Sequence, residues 1–363
     1  MQIELPISKS IANRLLILQA IHRDGLMTVS CDMPDDVRIM SEAIRLLGER
    51  REAIIDLGNC GTAMRFLTAY CAQLEGQTII LDGVERMRHR PIGQLVDALR
   101  EIGADIEYIG EEGFPPLRIK GGILDKHRII TLDNPQSTQF VSALLLIGAN
   151  VQTNSTSPYI TLTREIIDQY PIAHRASNSP HGGRPIAAQA ASALERDWSS
   201  AAFWYEYVAL YGGEITLPCL FRDSLQGDKV VADIFAHLGV STQYTEEGIV
   251  IYSSPLHPTP YTLHQDFASC PDLYPAVALT CERLGIELHA TGTESLPIKE
   301  SDRLRAVREH RTDHDHRMAM ALLIAGYEVD DTACISKSYP QFMEEYHKLF
   351  PQTPGSHWTI TGQ

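Results

Sequence analysis

The sequence predicts an α/β fold in which one helix–strand unit is used several times. An amphipathic helix that ends at a glycine occurs at 35–48, 91–103 and 227–239, with apolar residues spaced three and four apart. Strand-like stretches follow the second and third of these helices, at 104–108 and 240–244. Because the unit occurs in both halves of a chain of 363 residues, we expect two αβ domains.

The other periodic segments fit the same fold class. We expect further helices at 62–71, 139–147, 199–210, 274–283, 317–325 and 340–348, and short strands at 78–81, 117–119, 129–132, 215–217 and 248–252. The stretch 173–193 is rich in Ser, Pro, Gly and Ala and interrupts the pattern. The boundary between the two halves is therefore predicted there.

Composition and charge argue against several classes of function. The chain is 44% hydrophobic and has a net charge of −15, which disfavours general binding to nucleic acid or to a membrane surface. It has no apolar run of about 18 residues, and its first residues lack the pattern of a signal peptide. The seven cysteines are scattered and form no Cys-x-x-Cys pair, as in proteins of a reducing compartment. We expect a cytoplasmic globular protein without a membrane or nucleic-acid partner.

Cations and carboxylates are gathered into four short clusters. Three lie towards the C-terminus, at 299–303, 315–320 and 336–337, and the fourth lies near the N-terminus, at 8–14. Arginine offers a planar fork for phosphate or carboxylate, and lysine offers a point charge. Cations drawn from distant parts of one chain predict a site for a substrate with several negative charges.

Several motifs in the first half also have a plain structural interpretation. The glycine-rich turn at 57–65 leads from a strand into a helix, where backbone N–H groups favour an anion, but it could be only a tight turn. It is neither a Walker A loop nor G-x-G-x-x-G, so it does not indicate a nucleotide. The run 86–91 holds three arginines and could be a solvated surface. Ser137 could cap a helix, and 157–159 could be a turn that enters a strand.

The motifs in the second half leave similar alternatives. Asp272 either caps the helix that follows it or directs a carboxylate at a substrate hydroxyl. Lys299, Glu300 and Arg303 have the spacing of one helical face, where a surface salt bridge would stabilise little. Three histidines alternate with two aspartates at 310–316, but no cysteine joins them, and we expect no metal site.

As an ordered set, the motifs carry a resemblance to a known family. The set comprises Pro6-x-Ser8-Lys9-Ser10-x-x-Asn13-Arg14, Asp35-Asp36, Gly58-Asn59-x-Gly61-Thr62-Ala63-Met64-Arg65, Arg90-Pro91-Ile92-Gly93, Pro115-Pro116-Leu117, Ser137-Thr138-Gln139-Phe140, Pro158-Tyr159-Ile160, Trp198-Ser199-Ser200-Ala201, Gln226-Gly227-Asp228, Pro271-Asp272, Lys299-Glu300-x-Asp302-Arg303, Asp315-His316-Arg317-Met318-Ala319-Met320 and Lys337. It resembles the 5-enolpyruvylshikimate-3-phosphate synthase (3-phosphoshikimate 1-carboxyvinyltransferase) family of enolpyruvyl transferases. The match runs from Leu5 to about Tyr346.

The resemblance implies a fold and a reaction. The fold is two inverse αβ barrel domains, each built from three βαβαββ units, with the active site in the cleft between them. The first domain would be 9–194, on the shikimate 3-phosphate side, and the second would be 1–8 plus 195–363. The reaction transfers the enolpyruvyl group of phosphoenolpyruvate to the 5-hydroxyl of shikimate 3-phosphate by addition and elimination. It belongs to the shikimate pathway of aromatic amino acid biosynthesis.

The resemblance also implies residue roles. The catalytic residues would be Lys9, Asp272 and Glu300, with Asp272 as the base for the 5-hydroxyl and the other two as candidates for proton transfer at the enolpyruvyl carbon. The ligands of shikimate 3-phosphate would be Lys9, Ser10, Arg14, Ser137, Thr138, Gln139, Thr156 (or Ser157), Tyr159, Asp272, Ser295 and Lys299. The ligands of phosphoenolpyruvate would be Lys9, Asn59, Gly61, Thr62, Arg90, Gln139, Arg303, His316, Arg317 and Lys337. No metal or organic cofactor is expected, and the chain is expected to be a monomer.

The chain departs from the family at several points. Ser295 stands where many relatives have Asn, Thr138 replaces a Ser, and Phe66 stands where many relatives have Pro. The region 168–193 does not follow the family, and only 304–314 separates Arg303 from Asp315, where the family has a further strand–helix–strand stretch. Either the chain has lost that stretch or the printed sequence omits it. We expect an omission, because losing a strand pair would leave buried strand edges without partners.

Two alternative functions remain at this point. The related enolpyruvyl transferase that acts on UDP-N-acetylglucosamine carries Lys-Asn near its start, whereas this chain has Lys9-Ser10 followed by Asn13-Arg14. A protein that keeps the fold but has lost catalysis is the other alternative, suggested by Ser295 and by the short stretch 304–314. It would bind the phosphorylated substrate without turnover.

Overall fold

The computed structural model describes residues 1–175, 194–254 and 262–350, with the side chains of 171–175 left out of the description. The predicted boundary at 173–193 therefore lies almost wholly outside the described residues. No helix among the described residues is long and apolar enough to cross a membrane.

Helices and short strands alternate along the described chain. The α-helices are α1 (Lys9–His22), α2 (Asp35–Glu49), α3 (Gly61–Ala72), α4 (Glu85–Arg88), α5 (Gly93–Glu101), α6 (Thr138–Leu146), α7 (Pro158–Arg175), α8 (Trp198–Tyr211), α9 (Val231–Ala236), α10 (Tyr274–Leu284), α11 (Arg303–Glu309), α12 (His316–Ile324) and α13 (Phe342–Leu349). The strands are β1 (Glu52–Asp56), β2 (Thr78–Asp82), β3 (Asp105–Tyr108), β4 (Leu117–Lys120), β5 (Ile129–Thr131), β6 (Asn150–Gln152), β7 (Glu214–Pro218), β8 (Val240–Tyr244), β9 (Gly248–Ser253), β10 (Thr262–Asp266) and β11 (Glu287–Thr291). Short 3-10 turns cover Gly227–Val230, Leu296–Ile298 and Ala333–Lys337.

The sheets combine parallel and antiparallel pairs. One sheet has the order β1-β2-β4-β3, in which β1 and β2 are parallel and the other neighbours are antiparallel. A second has the antiparallel order β7-β9-β8, and the pairs β5-β6 and β10-β11 are parallel. Parallel neighbours need crossover helices, and the helices that separate these strands in the sequence provide them.

The first residues of the chain extend the sheet of β7, β9 and β8. Gln2 forms a parallel bridge with Thr216, and the N–H of Ile3 donates to the carbonyl of Thr216 at 3.0 Å. The N–H of Thr216 in turn donates to the carbonyl of Met1 at 2.7 Å. The N-terminal segment therefore pairs with a strand that lies more than two hundred positions later in the chain.

The apolar side chains form two separate cores. One contains residues from Ile7 to Leu194, and the other contains Ile3, Leu5 and residues from Trp198 to Phe342. Helices α3 and α6 pack inside the first core, and α8, α10 and α12 pack inside the second. This is a two-domain α/β architecture, and it brings helix starts and turns from both cores to one cleft.

Most predicted elements are confirmed, and one is wrong. The predicted glycine-terminated helices correspond to α2, α5 and the turn-plus-helix at 227–236, and each is followed by a strand. Residues 157–159 do not enter a strand, because helix α7 begins at Pro158. Proline suits the first helical position, where its missing N–H has no partner to lose.

The short interval 304–314 forms a closed connection. Helix α11 ends at Glu309, and the residue that caps it, His310, has a positive φ of 51°. A turn through Asp313 and His314 then leads into α12. The described second core retains its helices and its three-stranded sheet around this connection. The expected omission of residues stays a prediction.

Candidate active site

A cleft of about 870 Å³ lies between the two cores. From the first core its wall includes the predicted residues Lys9, Ser10, Arg14, Gly61, Thr62, Arg90, Ser137, Thr138, Gln139, Thr156 and Tyr159. From the second core it includes Asp272, Ser295, Lys299, Glu300, Arg303, His316 and Arg317. Side chains separated by up to three hundred positions in the sequence therefore meet at one place.

Asp272 is the centre of one charged cluster in the cleft. Arg303 donates through Nη1 to its Oδ1 at 2.8 Å, Arg317 lies 2.8 Å from its Oδ2, and the ammonium of Lys299 lies 3.4 Å from Oδ1. Burial acts to raise the pKa of Asp272, but these three cations outweigh it and hold the pKa well below its usual range. The carboxylate is therefore ionised. Its contacts are with these cations, and Leu273 occupies the cap position of α10, so Asp272 as the helix cap is wrong.

Glu300 is the centre of a second cluster. Lys337 donates to its Oε1 at 2.9 Å, Arg303 donates to its Oε2 at 3.2 Å, and Arg90 lies 3.7 Å from Oε1. Burial opposes ionisation, yet Lys337, Arg90 and Arg303 hold the pKa of Glu300 well below its usual range. Lys299 and Glu300 precede α11 and lie outside it, so the predicted shared helical face is wrong. The expected surface salt bridge is a buried network instead, since Glu300 is 9% exposed.

Lys337 and Asn59 lie behind the cleft wall. The Nζ atom of Lys337 donates to the carbonyl of Asn59 at 2.7 Å, in addition to its bond to Glu300. Burial lowers the pKa of Lys337, but the nearby carboxylates of Glu300 and Asp36 more than offset this and raise it. Lys337 is thus a buried, charged link between the two cores that contacts the cleft-lining Glu300.

Helix α12 begins at the cleft and carries two of the predicted residues. Asp315 caps it by accepting the N–H of Arg317 at 2.9 Å, which fixes His316 and Arg317 in the first turn. Burial, followed by the charges of Lys9 and Arg317, holds the pKa of His316 well below its usual range, so the imidazole is neutral.

Several buried donors at the cleft have no hydrogen-bond partner among the described residues. They are Nε and Nη1 of Arg90, Nε and Nη1 of Arg317, and the ring N–H of His316, whose other ring nitrogen is an unpaired acceptor. Buried polar groups are normally paired, and each unpaired one carries a desolvation cost. Cationic donors held in this way favour an anionic ligand that would accept from them.

The glycine-rich turn brings its backbone close to two arginines. A Cβ atom at Gly61 would lie 2.6 Å from Nη1 of Arg90 and 2.7 Å from Nη1 of Arg65. Arg65 itself donates to the carbonyls of Gly61 at 3.1 Å and Pro91 at 3.2 Å. A side chain at this position would therefore displace one or both guanidinium groups. As predicted, the turn runs from a strand into a helix, and Cys60 caps that helix through its sulfur.

The predicted ligands from α6 and α1 are held in different ways. Gln139 donates to the hydroxyl of Thr62 at 2.9 Å, and Ser137 caps α6 as its plain interpretation predicts. Arg14 is 3% exposed, and its guanidinium donates to the carbonyl of Ser10 at 2.7 Å and to the hydroxyl of Thr163 at 2.8 Å. Burial lowers the pKa of Arg14 to about 10. Arg14 thus fixes the helix that presents Lys9 and Ser10.

Phe66 and Tyr159 complete this side of the cleft. The Arg14 guanidinium lies 5.4 Å from the ring centroid of Phe66, so the residue that departs from the family supports Arg14 by a cation–π contact. The hydroxyl of Tyr159 donates to Asp228 of the second core at 3.3 Å. Burial and the nearby charge of Asp272 raise the pKa of Asp228 to about 6, although the hydrogen bond from Ser199 acts to lower it.

Comparison with known proteins decides the family. A family model described as EPSP synthase (3-phosphoshikimate 1-carboxyvinyltransferase) matches residues 1–310 and 307–346. A 3-phosphoshikimate 1-carboxyvinyltransferase of Bacteroides fragilis is 37% identical over 400 residues, covering 95% of this chain and 94% of the relative. The chain belongs to the EPSP synthase family. A further member, from Colwellia psychrerythraea, is 29% identical over 418 residues and is covered to 95% of each chain.

Solved EPSP synthases share the fold. One structure of the Acinetobacter baumannii enzyme superposes with a TM-score of 0.66 at 19% identity, covering 96% of this chain and 95% of that one. A second structure of the enzyme from the same organism gives a TM-score of 0.65 over the same shares of the chains. These superpositions support the two-domain α/β architecture of the EPSP synthase family for this chain.

Four further polar residues belong to the site, although sequence reasoning gave them no role. Asp36 lies 3.2 Å from the ammonium of Lys9, and Asp315 lies 2.8 Å from Nε of Arg303. Arg65 lines the cleft, and Asp228 accepts from Tyr159. All four stand within motifs that the EPSP synthase resemblance already contains, so their positions were visible. Which of them pair with ligand residues depends on tertiary contacts.

The arginines of the run 86–91 and the three histidines at 310–316 have different surroundings from one residue to the next. Arg88 and His89 are exposed, as a solvated run predicts, but Arg90 is 6% exposed and Arg86 faces the second core. His310 contacts Glu282, His314 contacts Asp331, and His316 is buried at the cleft. Among the described residues no group of three or more His, Cys, Asp or Glu could hold a metal ion.

Proposed function

We propose that this chain transfers the enolpyruvyl group of phosphoenolpyruvate to the 5-hydroxyl of shikimate 3-phosphate and releases phosphate. Membership of the EPSP synthase family supports the reaction. The observation that carries it is the convergence of Arg303, Arg317 and Lys299 on Asp272 in one cleft. The two substrates together bring two phosphates and two carboxylates, and such anions need several cations placed close together.

The phosphoenolpyruvate side is proposed to centre on the glycine turn and α12. Its ligands would be Lys9, Asn59, Gly61, Thr62, Arg90, Gln139, Arg303, His316, Arg317 and Lys337. The unpaired donors of Arg90, Arg317 and His316 support this assignment, because an anion would satisfy them. Asn59 and Lys337 would act from behind the wall, through their contact with each other and with Glu300.

The shikimate 3-phosphate side is proposed to lie against α6 and the starts of α1 and α7. Its ligands would be Lys9, Ser10, Arg14, Ser137, Thr138, Gln139, Thr156, Tyr159, Asp272, Ser295 and Lys299. Thr138 keeps a hydroxyl, which can still donate to phosphate, and Ser295 is a shorter polar group on the same wall. Arg14 and Tyr159 make their present hydrogen bonds within the protein, so we propose that they mainly orient neighbouring ligands.

The proposed chemistry uses the ionised carboxylates. Asp272 would accept the proton of the 5-hydroxyl as the oxygen bonds to C2 of phosphoenolpyruvate, while C3 gains a proton. The C2–O bond to phosphate then breaks, phosphate leaves, and C3 returns its proton. Lys9 and Glu300 are the proposed carriers of that proton. The cations around Asp272 weaken it as a base, and substrate anions that share these cations would restore its basicity.

The finer description of the fold is also a proposal. We propose two inverse αβ barrels, each from three βαβαββ units, with 9–194 as the first domain and 1–8 plus 195–363 as the second. The two separate cores and the pairing of the N-terminal segment with β7 support this division. Ile7 packs in the first core, so the crossing point lies at the edge of the proposed boundary. The monomeric state and the cytoplasmic location stay predictions.

Phosphate release tests the proposed function. Purified chain is incubated with phosphoenolpyruvate and either shikimate 3-phosphate or UDP-N-acetylglucosamine, without added metal. We expect release with shikimate 3-phosphate alone. Release with the sugar nucleotide would make the related transferase the correct assignment. Calorimetric binding of shikimate 3-phosphate without release would identify a catalytically inactive binding protein.

The catalytic assignment has its own test. Asp272→Ala and Lys9→Ala should each lower turnover by more than about tenfold, which corresponds to about 1.4 kcal/mol of barrier. Asp302→Ala is the matched control, because Asp302 caps α11 through the N–H of Arg305 at the edge of the same region. A loss below tenfold in the first two variants would remove these residues from the mechanism.

A further inference from the structure

Arg86 makes four hydrogen bonds to one short stretch of the other core. Its Nη2 donates to the carbonyls of Pro297 at 3.0 Å and Lys299 at 2.9 Å. Its Nε donates to the carbonyls of Glu300 at 3.1 Å and Lys299 at 3.3 Å. The acceptors stand more than two hundred positions away in the sequence, so these bonds join elements that have no local reason to meet.

The two partners belong to different cores. Arg86 lies in α4, which the buried side chain of Met87 anchors in the first core. The acceptor stretch follows Leu296, which is buried in the second core. The fork of Arg86 therefore bridges the two cores and fixes the backbone of the second core against a short helix of the first.

The stretch that Arg86 holds carries two proposed active-site side chains. The ammonium of Lys299 reaches Asp272, and the carboxylate of Glu300 reaches Lys337. Four positions after Arg86, the guanidinium of Arg90 lies 3.7 Å from Oε1 of Glu300. One short segment of the first core thus contacts both the backbone and the side chain of Glu300.

We propose that Arg86 is a positioning residue that sets Lys299 and Glu300 in their places in the cleft. The inference rests on the proposed function and adds a residue that touches neither substrate. Small displacements of reacting groups lower the reaction rate by large factors. Loss of the backbone bonds that hold this turn should therefore lower turnover more than it weakens substrate binding in the ground state. Lysine cannot replace the fork, because it offers one point of donation to acceptors spread over several residues.

The same helix supplies a matched control. Arg88 lies two positions after Arg86, its side chain is 45% exposed, and it pairs with Asp82 of the first core. Both arginines stand at the end of α4 and both carry the same charge, but only Arg86 reaches the second core through the bonds described above. Arg88→Ala therefore reproduces the loss of charge and of helix contacts without the loss of the bridge.

The experiment measures phosphate release, shikimate 3-phosphate affinity and thermal unfolding in the wild type, Arg86→Ala, Arg86→Lys and Arg88→Ala. We expect kcat to fall by about tenfold to a hundredfold in both Arg86 variants and by less than about twofold in Arg88→Ala. Binary affinity for shikimate 3-phosphate should change by no more than about threefold in the variants, because Lys299 alone among its proposed ligands lies on the stretch that Arg86 holds. Added guanidinium should restore part of the kcat of Arg86→Ala and leave Arg88→Ala unchanged.

Each of the other outcomes contradicts either the proposed function or the role proposed for Arg86. A wild type that releases no phosphate overturns the proposed function, and this inference with it. An active wild type with normal kcat in Arg86→Ala overturns the inference alone. Loss of thermal stability in Arg86→Ala, with kcat per folded molecule equal to that of Arg88→Ala, would reduce Arg86 to a structural contact. If Arg86→Ala does not fold, normal kcat in Arg86→Lys overturns the need for the fork.

Discussion

Arg303 donates through Nε to Asp315 at 2.8 Å, and both side chains are buried. This bond joins α11 to α12 directly across the short interval 304–314. Ser301 also donates to Asp315 at 3.2 Å, and the N–H of Arg317 donates to it at 2.9 Å. One carboxylate therefore fixes the arginine of one helix and the start of the next.

Asp315→Ala should lower the free energy of unfolding by about 3–5 kcal/mol, because it removes one of the two carboxylates that lie 2.8 Å from the buried guanidinium of Arg303 and also the cap of α12. The control is Glu309→Ala in α11, whose carboxylate pairs with the half-exposed Arg305 at the surface. Its effect should stay below about 1 kcal/mol. Urea unfolding at neutral pH measures both. Equal effects in the two variants would show that the buried bond is not the main tie between the helices.

Gly61→Ala should raise the KM for phosphoenolpyruvate by about tenfold and leave the affinity for shikimate 3-phosphate nearly unchanged. The added Cβ would lie 2.6 Å from the guanidinium of Arg90, which must then move away from its place in the cleft. Steady-state kinetics with each substrate varied in turn separates the two effects. The control is Gly48→Ala, because a Cβ atom at Gly48 would have no atom within 4 Å. Gly58→Ala is less suitable, because Gly58 has a positive φ of 54°. An unchanged KM in Gly61→Ala would indicate that Arg90 has room to adapt.

Glu206→Met should stabilise the chain at neutral pH by about 1–3 kcal/mol. Glu206 is fully buried in α8, and neither carboxylate oxygen has a hydrogen-bond partner among the described residues. Burial raises its pKa well above the usual range, so the folded chain holds a proton that the unfolded chain releases above about pH 4.3. Wild-type stability therefore falls as pH rises from that value towards the folded pKa.

The pH dependence of this difference is the decisive measurement. Urea unfolding of the wild type and Glu206→Met at several pH values from 4 to 8 should show a gap that widens with pH. Glu246→Gln at an exposed position is the control and should follow the wild type. A gap that is constant over the whole range would mean that the Glu206 carboxyl does not stay protonated in the folded chain.

Lys299→Met should move the acidic limb of the kcat/KM profile to higher pH. The charge of Lys299 is one of four, with those of Arg317, Arg303 and Lys9, that hold the pKa of Asp272 down, so its removal raises that pKa and the carboxylate is protonated at a higher pH. Lys120→Met, which removes an exposed surface cation paired with Asp105, should leave the limb in place. A limb that does not move in Lys299→Met would show that it belongs to another group.

The local pattern predicts most helices and strands, but it does not predict which charges become buried. The spacing around Val231 and Phe235 identifies a helix because a periodic apolar face needs only the sequence to be recognised. Helix α7 was missed because Pro158 is equally at home in a turn and at a helix start. In that case the surrounding core decides between two local conformations of similar energy.

In the candidate site, too, the sequence predicts some features and not others. The ordered motifs place Lys9, Gly61, Asp272 and Arg317 in one cleft, and the structure brings them together. The spacing of Lys299, Glu300 and Arg303 suggests a helical face, but the chain is extended at Lys299 and the helix begins only at Arg303. Arg86 looks like a surface residue in the sequence because its acceptors are backbone carbonyls, which carry no side-chain signature.

The pairing of the first residues with β7 sets an order on folding during synthesis. Ile3 leaves the ribosome early, but its partner Thr216 is made about 213 positions later, the separation that also divides Met1 from Glu214. The first core can condense as soon as its own residues have emerged, whereas the second sheet must wait while its N-terminal strand remains solvated. A bulky fusion placed directly before Met1 would compete with the late closure of that sheet.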